Sequence, residues 1–573
     1  MVIQHVKARN YRNIDGIDVW LNNTSNFIIG ENNLGKSNFL HLLETVCTGK
    51  SFSEEDYTNE DLPIEVELQI KMVNGEIGFF GDNFDPNDES LIHMKYYQSI
   101  NEAYPTLICT DTDDSVSLKQ LRKIDFYRYE STLQPSKELQ FDSSKGMGGF
   151  IQGVISRYMK DNNPSVLNDS DLDLIKRYLN ERFCRIRGFK LYGLEAEVSH
   201  DETELISRIF YLSDGSRKIE NAGAGIQYTA MASIYVLAHI MKLYTAKTVS
   251  FEERLYENDD KKKLLPIIIA LDEPEVHLHP FLQRILIKFY KRILENKDAD
   301  FLELLKTCFD IDGLSGQLLI VTHSTDTIMD GYQNIVRFYD NQGTTICISG
   351  ADPSFSISRS DEKQLIMRFL DVKEAFYAHA VILIEGETEY GCVSEFAKTL
   401  DIDLDEYGIC IINAQGQSSI KPLVSLFDHF GIKTIAIYDA DVRNGRTPSE
   451  FEFFTSEPCF EFEVIRKMCD AGEFQLIKNI AVEIYSHALT EIIDADFIRE
   501  PYVKKLGLDI NNYTPQSIES IPETDPEFYN VVSSWLYKKK GIFVGRIIGK
   551  TLPLTLIPEC YKNAILKAVE VAT

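Results

Sequence analysis

The stretch GENNLGKS at residues 30–37 decides the fold of the first part of the chain. It has the G-x4-G-K-S spacing of a phosphate-binding loop, and it lies between an apolar strand predicted at residues 26–29 and a helix predicted from residue 38. In this context, backbone N–H groups and the helix N-terminus surround phosphates. We predict that Lys36 contacts the outer phosphates of a nucleotide and that Ser37 ligates Mg²⁺. The predicted nucleotide-binding residues of the loop are Gly30, Asn32, Asn33, Gly35, Lys36 and Ser37.

Two later strands supply further candidates for the nucleotide site. The apolar run at residues 267–271 is followed directly by Asp272 and Glu273. Asp272 is placed to hold Mg²⁺, and Glu273 is placed to orient and activate the attacking water. A third strand, residues 318–322, ends at His323, which can hydrogen-bond a terminal phosphate. Any one of these strand ends could be ordinary core before a solvated turn, but three in this order favour a nucleotide site.

A second group of carboxylates follows two strands near residues 385 and 439. Glu385 ends the apolar strand 381–384, and Glu389 follows it by four residues. Asp439 and Asp441 are two residues apart at the end of another strand, so their side chains point the same way in extended chain. Such acids repel one another without cations, and hard oxygen ligands suit Mg²⁺ or Mn²⁺. The sequence predicts a metal site of the kind that cleaves phosphodiesters.

Composition limits the classes of protein to which the chain can belong. Its 573 residues carry a net charge of −29, which argues against a protein that coats nucleic acid by overall charge. Local basic paths remain open at Lys538–Lys540 and in the first helical region, although a solvated face of mixed charge is the alternative for both. The basic residues of that helical region are Lys176, Arg177, Arg182, Arg185, Arg187 and Lys190.

Compartment and domain order can also be predicted. No apolar run reaches the roughly 18 residues of a membrane span, the start lacks the apolar core of a signal peptide, and ten cysteines form no Cys-x-x-Cys pair. We expect a cytoplasmic protein that does not contact membranes. The fold class is expected to be α/β, and the strands that alternate with helices from about residue 380 predict a parallel or mostly parallel sheet in the second domain. The predicted order is an ATPase domain at 1–350, with a helical segment at about 150–205, a linker at 351–375, and a second domain at 376–573 that ends in helices.

The first motifs together resemble the ABC-type ATPase heads of the chromosome-maintenance and recombination families. AGAGIQ at residues 222–227 resembles their signature loop, which in a dimer contacts the partner's nucleotide. Ala224 stands where a serine is usual, so we expect slow hydrolysis. Arg12 resembles an early arginine of these heads, and the resemblance places His277 and His279 in a loop rather than in a metal site. The region between the loop and Asp272 lacks sustained heptads, so no long coiled-coil arm is expected.

The second group of motifs resembles the Toprim domain of topoisomerases, primases and related nucleases. The pair E-G-x-x-E and D-x-D carries this resemblance, and Gly416 resembles the glycine turn between the two motifs. The order of ABC-type head and Toprim resembles the OLD (overcoming lysogenization defect) family of ATP-dependent nucleases. That resemblance implies that Glu461 and Glu463 help bind a second metal, although a solvated acidic face is the alternative, and that a late lysine assists the chemistry. Lys540 matches best, with the register among Lys538–Lys540 left open.

The sequence therefore predicts an ATP-regulated, divalent-metal-dependent DNA endonuclease, which the family resemblance places in bacterial defence against phage. The alternative is a non-cutting ATP-dependent DNA sensor or scaffold; a topoisomerase or primase would need a tyrosine domain or a zinc ribbon, and neither is recognised.

The expected cofactors are ATP and Mg²⁺, or Mn²⁺ at the Toprim site. The expected partners are DNA, a second copy or higher homo-oligomer through the helical segment, and an accessory helicase or retron reverse transcriptase. The predicted catalytic residues are Glu273, Glu385, Asp439, Asp441 and Lys540, and the predicted metal ligands are Ser37, Asp272, Glu385, Glu389, Asp439, Asp441, Glu461 and Glu463.

Overall fold

A computed structural model describes most of the chain, and it divides into two compact units. The described residues are 1–130, 139, 146–162, 169–198, 210–213, 215, 218–246, 249–443 and 447–573. The first unit is Met1–Ser354 and the second is Phe355–Thr573.

The first unit combines a mostly parallel sheet, an antiparallel sheet and surrounding helices. Its strands are β1 Val2–Arg9, β2 Ile17–Trp20, β3 Ser25–Gly30, β4 Ile64–Lys71, β5 Leu91–Gln98, β6 Thr106–Cys109, β7 Asp114–Ser115, β8 Asp125–Glu130, β9 Glu195–Val198, β10 Phe210–Ser213, β11 Tyr256–Glu257, β12 Lys263–Asp272, β13 Gly313–Val321, β14 Ile335–Asn341 and β15 Thr344–Ser349. Its helices are α1 Lys36–Cys47, α2 Leu118–Leu121, α3 Gly146–Asn162, α4 Asp169–Phe183, α5 Arg187–Tyr192, α6 Ala224–Thr245, α7 Pro280–Leu294 and α8 Ala299–Phe309.

The mostly parallel sheet places the candidate nucleotide residues at one edge. Its order is β11-β12-β13-β3-β14-β15, and β8 also pairs with β12. Strands β8, β12, β13, β3 and β14 run parallel to one another, so their carboxyl ends meet at the same edge. β12 is buried over nearly its whole length, which explains its unbroken apolar run. Parallel pairing thus gathers the loop after β3 and the acids after β12.

The antiparallel sheet provides the second wall of the first unit's core. Its order is β2-β1-β4-β5-β6-β7. Along β4, the side chains of Val66, Leu68 and Ile70 are buried while their neighbours are not, as the period of two in the sequence predicts. Helix α1 contributes Phe39 and Leu40 to the same apolar cluster as both sheets, so the helix that follows the loop is fixed by core packing.

The segment predicted to be helical over about 150–205 is helical only in its first part. Helices α3, α4 and α5 are followed by β9, which pairs antiparallel with β10. The helical prediction is wrong at Glu195–Val198, where polar and apolar residues alternate and Ala196 is buried, a pattern that suits a strand. Residues 163–168 and 199–209 of the predicted segment lie outside the described residues. A dimerisation role for the segment stays a prediction.

The second unit is built around a small parallel sheet. Its order is β17-β16-β18-β19, and each neighbouring pair is parallel, as predicted. The strands are β16 Ala380–Ile384, β17 Ile409–Asn413, β18 Lys433–Tyr438 and β19 Glu452–Phe454. The helices are α9 Arg359–Arg368, α10 Glu387–Thr399, α11 Gln417–His429, α12 Phe460–Asp470, α13 Phe474–Ile484, α14 Ala495–Lys504, α15 Pro526–Lys539, α16 Ile542–Thr551 and α17 Glu559–Ala572. Helix α9 lies within the stretch 351–375 that was predicted to be a linker.

Two helices of the second unit approach each other at the level of their backbones. Helix α10 carries Glu389, and helix α16 begins two residues after Lys540. A methyl group added at Gly545 of α16 would overlap the carbonyl oxygen of Thr388, and one added at Gly391 of α10 would overlap that of Ile542. Glycine at both positions therefore holds the start of α16 against the E-G-x-x-E motif.

We predict that Gly545→Ala destabilises the second unit. Alanine gains about 0.5–1 kcal/mol of helix preference, but overlap with a backbone oxygen costs about 2–3 kcal/mol and forces the helices apart. Urea unfolding followed by the fluorescence of Trp535, which is buried in this unit, measures the change in a Trp20→Phe background, because these are the two tryptophans of the chain. Lys550→Ala, at an exposed position of α16, is the control. An unfolding midpoint that is unchanged by Gly545→Ala would contradict the close packing.

Candidate nucleotide and metal sites

The phosphate-binding loop connects β3 to α1 through backbone that suits glycine. Gly35 caps α1 in the left-handed region, with φ of 87°, and a methyl group at Gly30 would overlap the carbonyl oxygen of Phe338. Asn33 is also left-handed, with φ of 65°, while the neighbouring Asn32 is exposed. The loop is therefore specified by its glycines and by the buried strand before it.

Lys36 lies inside this loop. Its Nζ donates to the carbonyl oxygens of Gly30, at 3.0 Å, and Glu31. The residue is 4% exposed, and burial lowers the pKa of Lys36 to about 8 despite the nearby charges of Glu273 and Asp272. The ammonium is thus held by backbone carbonyl oxygens of the loop.

Asp272 is held by two side chains from different elements. Ser37 Oγ donates to its Oδ1 at 2.9 Å, so the two residues predicted to ligate Mg²⁺ lie side by side. Arg128 Nη2 lies 2.7 Å from its Oδ2. Arg128 was not identified from the sequence, because no motif marks it. The available signal was an arginine between two aromatic residues in the buried strand β8, which lies beside β12.

The residues after β12 and β13 lie together as predicted. His323 Nε2 is 3.6 Å from Glu273 Oε1, and the His323 N–H donates to Glu275 Oε1 at 2.6 Å. Burial lowers the pKa of His323, and the charge of Lys36 lowers it further. Burial also raises the pKa of Glu275. Glu275 was not singled out from the sequence, and it fixes the backbone that presents His323.

His277 and His279, for which no metal role is predicted, contact neighbouring residues. The ring of His277 lies 5.2 Å from that of Tyr228. His279 precedes α7 and accepts a hydrogen bond from the Phe281 N–H at 3.4 Å. Arg12, the early arginine, binds Asp56 and also donates to Asn38 Oδ1 at 2.7 Å, next to the start of α1.

The loop that resembles an ABC signature begins a long helix. Gly223 is exposed and caps α6, which runs over Ala224–Thr245. His239 of α6 lies 2.6 Å from Asp125 of β8. The same short strand therefore contacts this helix through Asp125 and contacts Asp272 through Arg128.

The second candidate site lies where β16 and β18 end. These strands are parallel neighbours, so Glu385 and Asp439 leave the sheet at the same edge. Glu389, in the first turn of α10, is 4% exposed and accepts hydrogen bonds from the Gly386 N–H at 2.8 Å and the Tyr561 hydroxyl at 2.6 Å. Tyr561 is a contact that the sequence did not reveal, since it lies on the distant helix α17.

These carboxyl groups are unfavourable as a set of anions. Burial, followed by the charges of Glu389 and Glu385, raises the pKa of Asp439 well above its ordinary value. Burial likewise raises the pKa of Glu389, and burial together with the charge of Asp441 raises that of Glu385. Glu385 Oε2 is buried and has no hydrogen-bond partner among the residues that the structure describes. An unpartnered carboxylate oxygen among other acids fits a divalent cation.

A lysine that the sequence did not identify reaches this cluster. Lys505 Nζ lies 2.9 Å from Asp441 Oδ2. Burial alone would lower the pKa of Lys505, but the hydrogen bond to Asp441 and the charge of Asp439 raise it. No motif marks Lys505, because it lies just after α14, more than sixty residues from its partner.

The two later acids occupy different environments. Glu461 is 5% exposed, accepts from Thr388 Oγ1 at 2.8 Å and lies near Cys459 Sγ at 3.3 Å, and its charge acts on Asp439 and Glu389. Glu463 instead accepts the Ser456 N–H at 2.9 Å, the Ser456 hydroxyl at 2.8 Å and the Glu457 N–H at 2.8 Å. These three hydrogen bonds tie the carboxylate of Glu463 to the loop that precedes α12.

The three lysines at residues 538–540 have different contacts. The positive charge of Lys540 acts on Glu385 and lowers its pKa, although burial dominates. Lys540 Nζ lies 4.4 Å from the centre of the Tyr537 ring. Lys538 instead lies 3.5 Å from Glu500, and Lys539 lies 4.8 Å from the Tyr485 ring. This arrangement favours Lys540 as the lysine of the site.

Three of the six basic residues of the first helical region form ion pairs within the described part of the chain. Lys176 lies 2.7 Å from Glu197, Lys190 lies 2.8 Å from Asp300, and Arg185 pairs with Glu303. The solvated face of mixed charge, which was the alternative to a nucleic-acid path, describes them better.

Comparison with known families matches both parts of the chain. Residues 1–145 and 186–328, together half of the chain, match the AAA ATPase domain. Residues 376–441 match the TOPRIM domain of overcoming lysogenization defect protein-like proteins. An ATPase domain and a TOPRIM domain imply the use of a nucleotide and of a divalent metal. Within the described ranges, every helix is too short or too polar to cross a bilayer.

The individual relatives have low sequence identity to the chain. The chain is 24% identical to the Old nuclease of Escherichia phage P2 over 290 residues, 49% of the chain and 43% of the relative. It is 22% identical to Endonuclease GajA of Bacillus cereus (strain HuB5-5) over 426 residues, 68% of the chain and 57% of the relative. The chain thus spans about half the length of these relatives. The solved C-terminal region of the Burkholderia pseudomallei OLD protein is 14% identical, with a TM-score of 0.24, and covers 34% of this chain and 100% of its own; this likeness is too weak to support an inference.

We predict that the metal-free protein loses stability as the pH rises. The pKa values of Asp439 and Glu389 are raised in the folded state, so above the ordinary carboxyl pKa of about 4 the folded state holds more protons than the unfolded state. The free energy of unfolding should therefore fall as the pH rises through the raised values. Thermal melting in EDTA between about pH 5 and about pH 9 measures this slope.

Asp439→Asn tests the origin of that slope. The amide stays neutral at every pH, so the variant should show a flatter dependence than the unmodified chain. Asp470→Asn, at an exposed position of α12, should leave the slope unchanged. If Asp439→Asn melts with the slope of the unmodified chain, the cluster is not its source.

Proposed function

The chain belongs to the AAA ATPase domain family and carries an OLD-like TOPRIM domain, and from this premise we propose that it is an ATP-regulated DNA endonuclease that depends on Mg²⁺ or Mn²⁺. The observation that carries the proposal is the unpartnered oxygen of Glu385 among the carboxyl groups of Glu389, Asp439 and Asp441. A role in bacterial defence against phage is part of the proposal and rests on the OLD-family resemblance.

The roles of the chain's own residues follow from their positions. Divalent ions, when bound, supply charge to the oxygens of a phosphodiester and favour hydroxide over water. Glu385, Asp439 and Asp441 would hold such ions, and Glu461 adds a further buried oxygen donor. Hydrogen bonds from Tyr561 and Gly386 fix the orientation of Glu389. Lys540 would add positive charge next to Glu385 for the DNA phosphate.

We predict that Glu385→Gln abolishes DNA cleavage while the chain stays folded. The amide removes the negative charge that attracts a cation, and loss of several kcal/mol of charge stabilisation corresponds to about a 1000-fold lower rate. Plasmid cleavage by purified protein with Mg²⁺ or Mn²⁺ measures the rate. Glu387→Gln is the matched control, because Glu387 lies two residues away and is exposed.

Two results would change the assignment. Full cleavage by folded Glu385→Gln, and by the double variant Asp439→Asn with Asp441→Asn, would remove the TOPRIM acids from the reaction. Absence of cleavage by the unmodified chain, with either metal and with or without ATP, would favour the non-cutting sensor or scaffold.

ATP is proposed to regulate cleavage rather than to power it. Phosphodiester hydrolysis requires no ATP, and the candidate nucleotide residues and the carboxylate cluster belong to different units. A nucleotide shifts a conformational equilibrium only by binding one state better than another. The exposed Gly223 at the start of α6 would let a second copy contact the nucleotide, so ATP would act through a homodimer.

The test compares Glu273→Gln with the unmodified chain. The amide cannot activate water, so the variant should bind ATP, hydrolyse it at least about 100-fold more slowly, and cleave DNA at the ATP-bound rate. Nuclease rates are measured without nucleotide, with ATP and with a non-hydrolysable analogue. Lys36→Ala, which should not bind ATP, marks the nucleotide-free rate. If cleavage requires ATP and is lost with both the analogue and Glu273→Gln, hydrolysis powers the reaction and the regulatory role is wrong.

A further inference from the structure

Lys505 is the residue of the carboxylate cluster that neither a motif nor a resemblance identifies. We propose that Lys505 is an internal counter-cation: it pairs with Asp441 in the metal-free protein, a divalent metal displaces it, and the freed ammonium binds a phosphate of the DNA. The inference rests on the proposed nuclease function and adds a competition between a protein cation and the metal.

The geometry of Lys505 differs from that of its neighbour Lys504. The Nζ of Lys505 lies 2.9 Å from Asp441 Oδ2, and its side chain is 20% exposed. Lys504, one residue earlier, is 75% exposed and lies 3.8 Å from Glu500. Adjacent lysines at the end of one helix therefore have different partners, and the less exposed one faces the acids.

The backbone at Lys505 is anchored, so only the side chain needs to move. The N–H groups of Lys505 and Leu506 both donate to the carbonyl oxygen of Pro501, at 2.9 and 3.2 Å. Helix α14 is in turn fixed by Ile498 and Tyr502, which are buried in the core of the second unit. A flexible four-carbon stem on a fixed base can exchange one anion for another without unfolding the helix.

Competition follows from the charges. The oxygen that Lys505 binds belongs to the D-x-D motif, which the proposed function assigns to the metal. A divalent ion bound through Asp441 would lie within a few ångströms of the ammonium, and like charges at that separation repel. Side-chain exposure of 53% at Asp441 leaves room for exchange with solvent. Metal entry and the Lys505 ion pair therefore compete for Asp441.

The freed ammonium has a defined use. A lysine next to metal-bound carboxylates is a point charge suited to phosphate oxygens. The order of events would be metal binding, release of Lys505, and capture of DNA, so that DNA is held firmly only at a loaded site.

Calorimetric titration of the full chain with Mn²⁺ alone tests the competition. Lys505→Met keeps an unbranched side chain but removes the charge, and it should bind Mn²⁺ about tenfold more tightly than the unmodified chain. Lys505→Gln can still donate a hydrogen bond to Asp441 and should also bind more tightly; it decides the matter if the methionine variant fails to fold. Lys504→Met is the matched control and should leave Mn²⁺ affinity unchanged. Unchanged or weaker Mn²⁺ binding by folded Lys505→Met or Lys505→Gln would overturn the proposal.

DNA binding is the second measurement, and here the Lys505→Met substitution should weaken binding instead of strengthening it. In saturating Mn²⁺, Lys505→Met should raise the KM for DNA about tenfold, whereas Lys504→Met should not change it. A KM that stays constant would remove the phosphate contact. The two failures can be told apart: tighter Mn²⁺ binding by Lys505→Met without DNA cleavage by the unmodified chain would refute the nuclease and leave the competition, while cleavage with unchanged Mn²⁺ affinity would refute the competition alone.

Discussion

Carboxylates that gather at the carboxyl ends of parallel strands are the constraint on which both candidate sites depend. Parallel pairing brings Asp272 to one edge of the first sheet and brings Glu385 and Asp439 to one edge of the second. The same geometry that concentrates acids for binding cations makes the acids repel one another. Each unit must therefore supply compensating charge or donors from elements outside the motif.

The two units compensate in related ways. Arg128 of β8 pairs with Asp272, while Lys505, after α14, pairs with Asp441. In both pairs the cation comes from an element far away in the chain and lies about 3 Å or less from the acid. Glu389 differs, because a tyrosine hydroxyl and a backbone N–H donate hydrogen bonds to its carboxyl group. Burial favours the neutral form of this group. The cations balance charge, whereas the hydrogen bonds fix orientation.

The parts of the fold that could be predicted are those whose physics is local. The loop at residues 30–37, the buried run that ends at Asp272 and the strand before Glu385 each carry their signal within a few residues, and the α/β class with a mostly parallel sheet in the second unit is confirmed. Arg128, Tyr561 and Lys505 could not be predicted, because each acquires its role by packing against a residue more than sixty positions away. The helical prediction failed at β9 because its alternation of four residues is too short to outweigh the helical stretch before it.

The acidity of the chain gives the compensating lysines their importance. A net charge of −29 provides no general attraction for DNA, so affinity must come from local cations. Three of the six basic residues of the first helical region are paired with acids in the described part of the chain, whereas the positive charges of Lys540 and Lys505 both act on Glu385. Without a divalent ion, the acids give the carboxylate cluster a negative local charge. A bound divalent ion would neutralise these acids, and the charges of Lys540 and Lys505 would then make the local charge positive. If the chain binds DNA as proposed, the metal-loaded cluster would offer the phosphates a local positive charge that the acidic protein as a whole lacks.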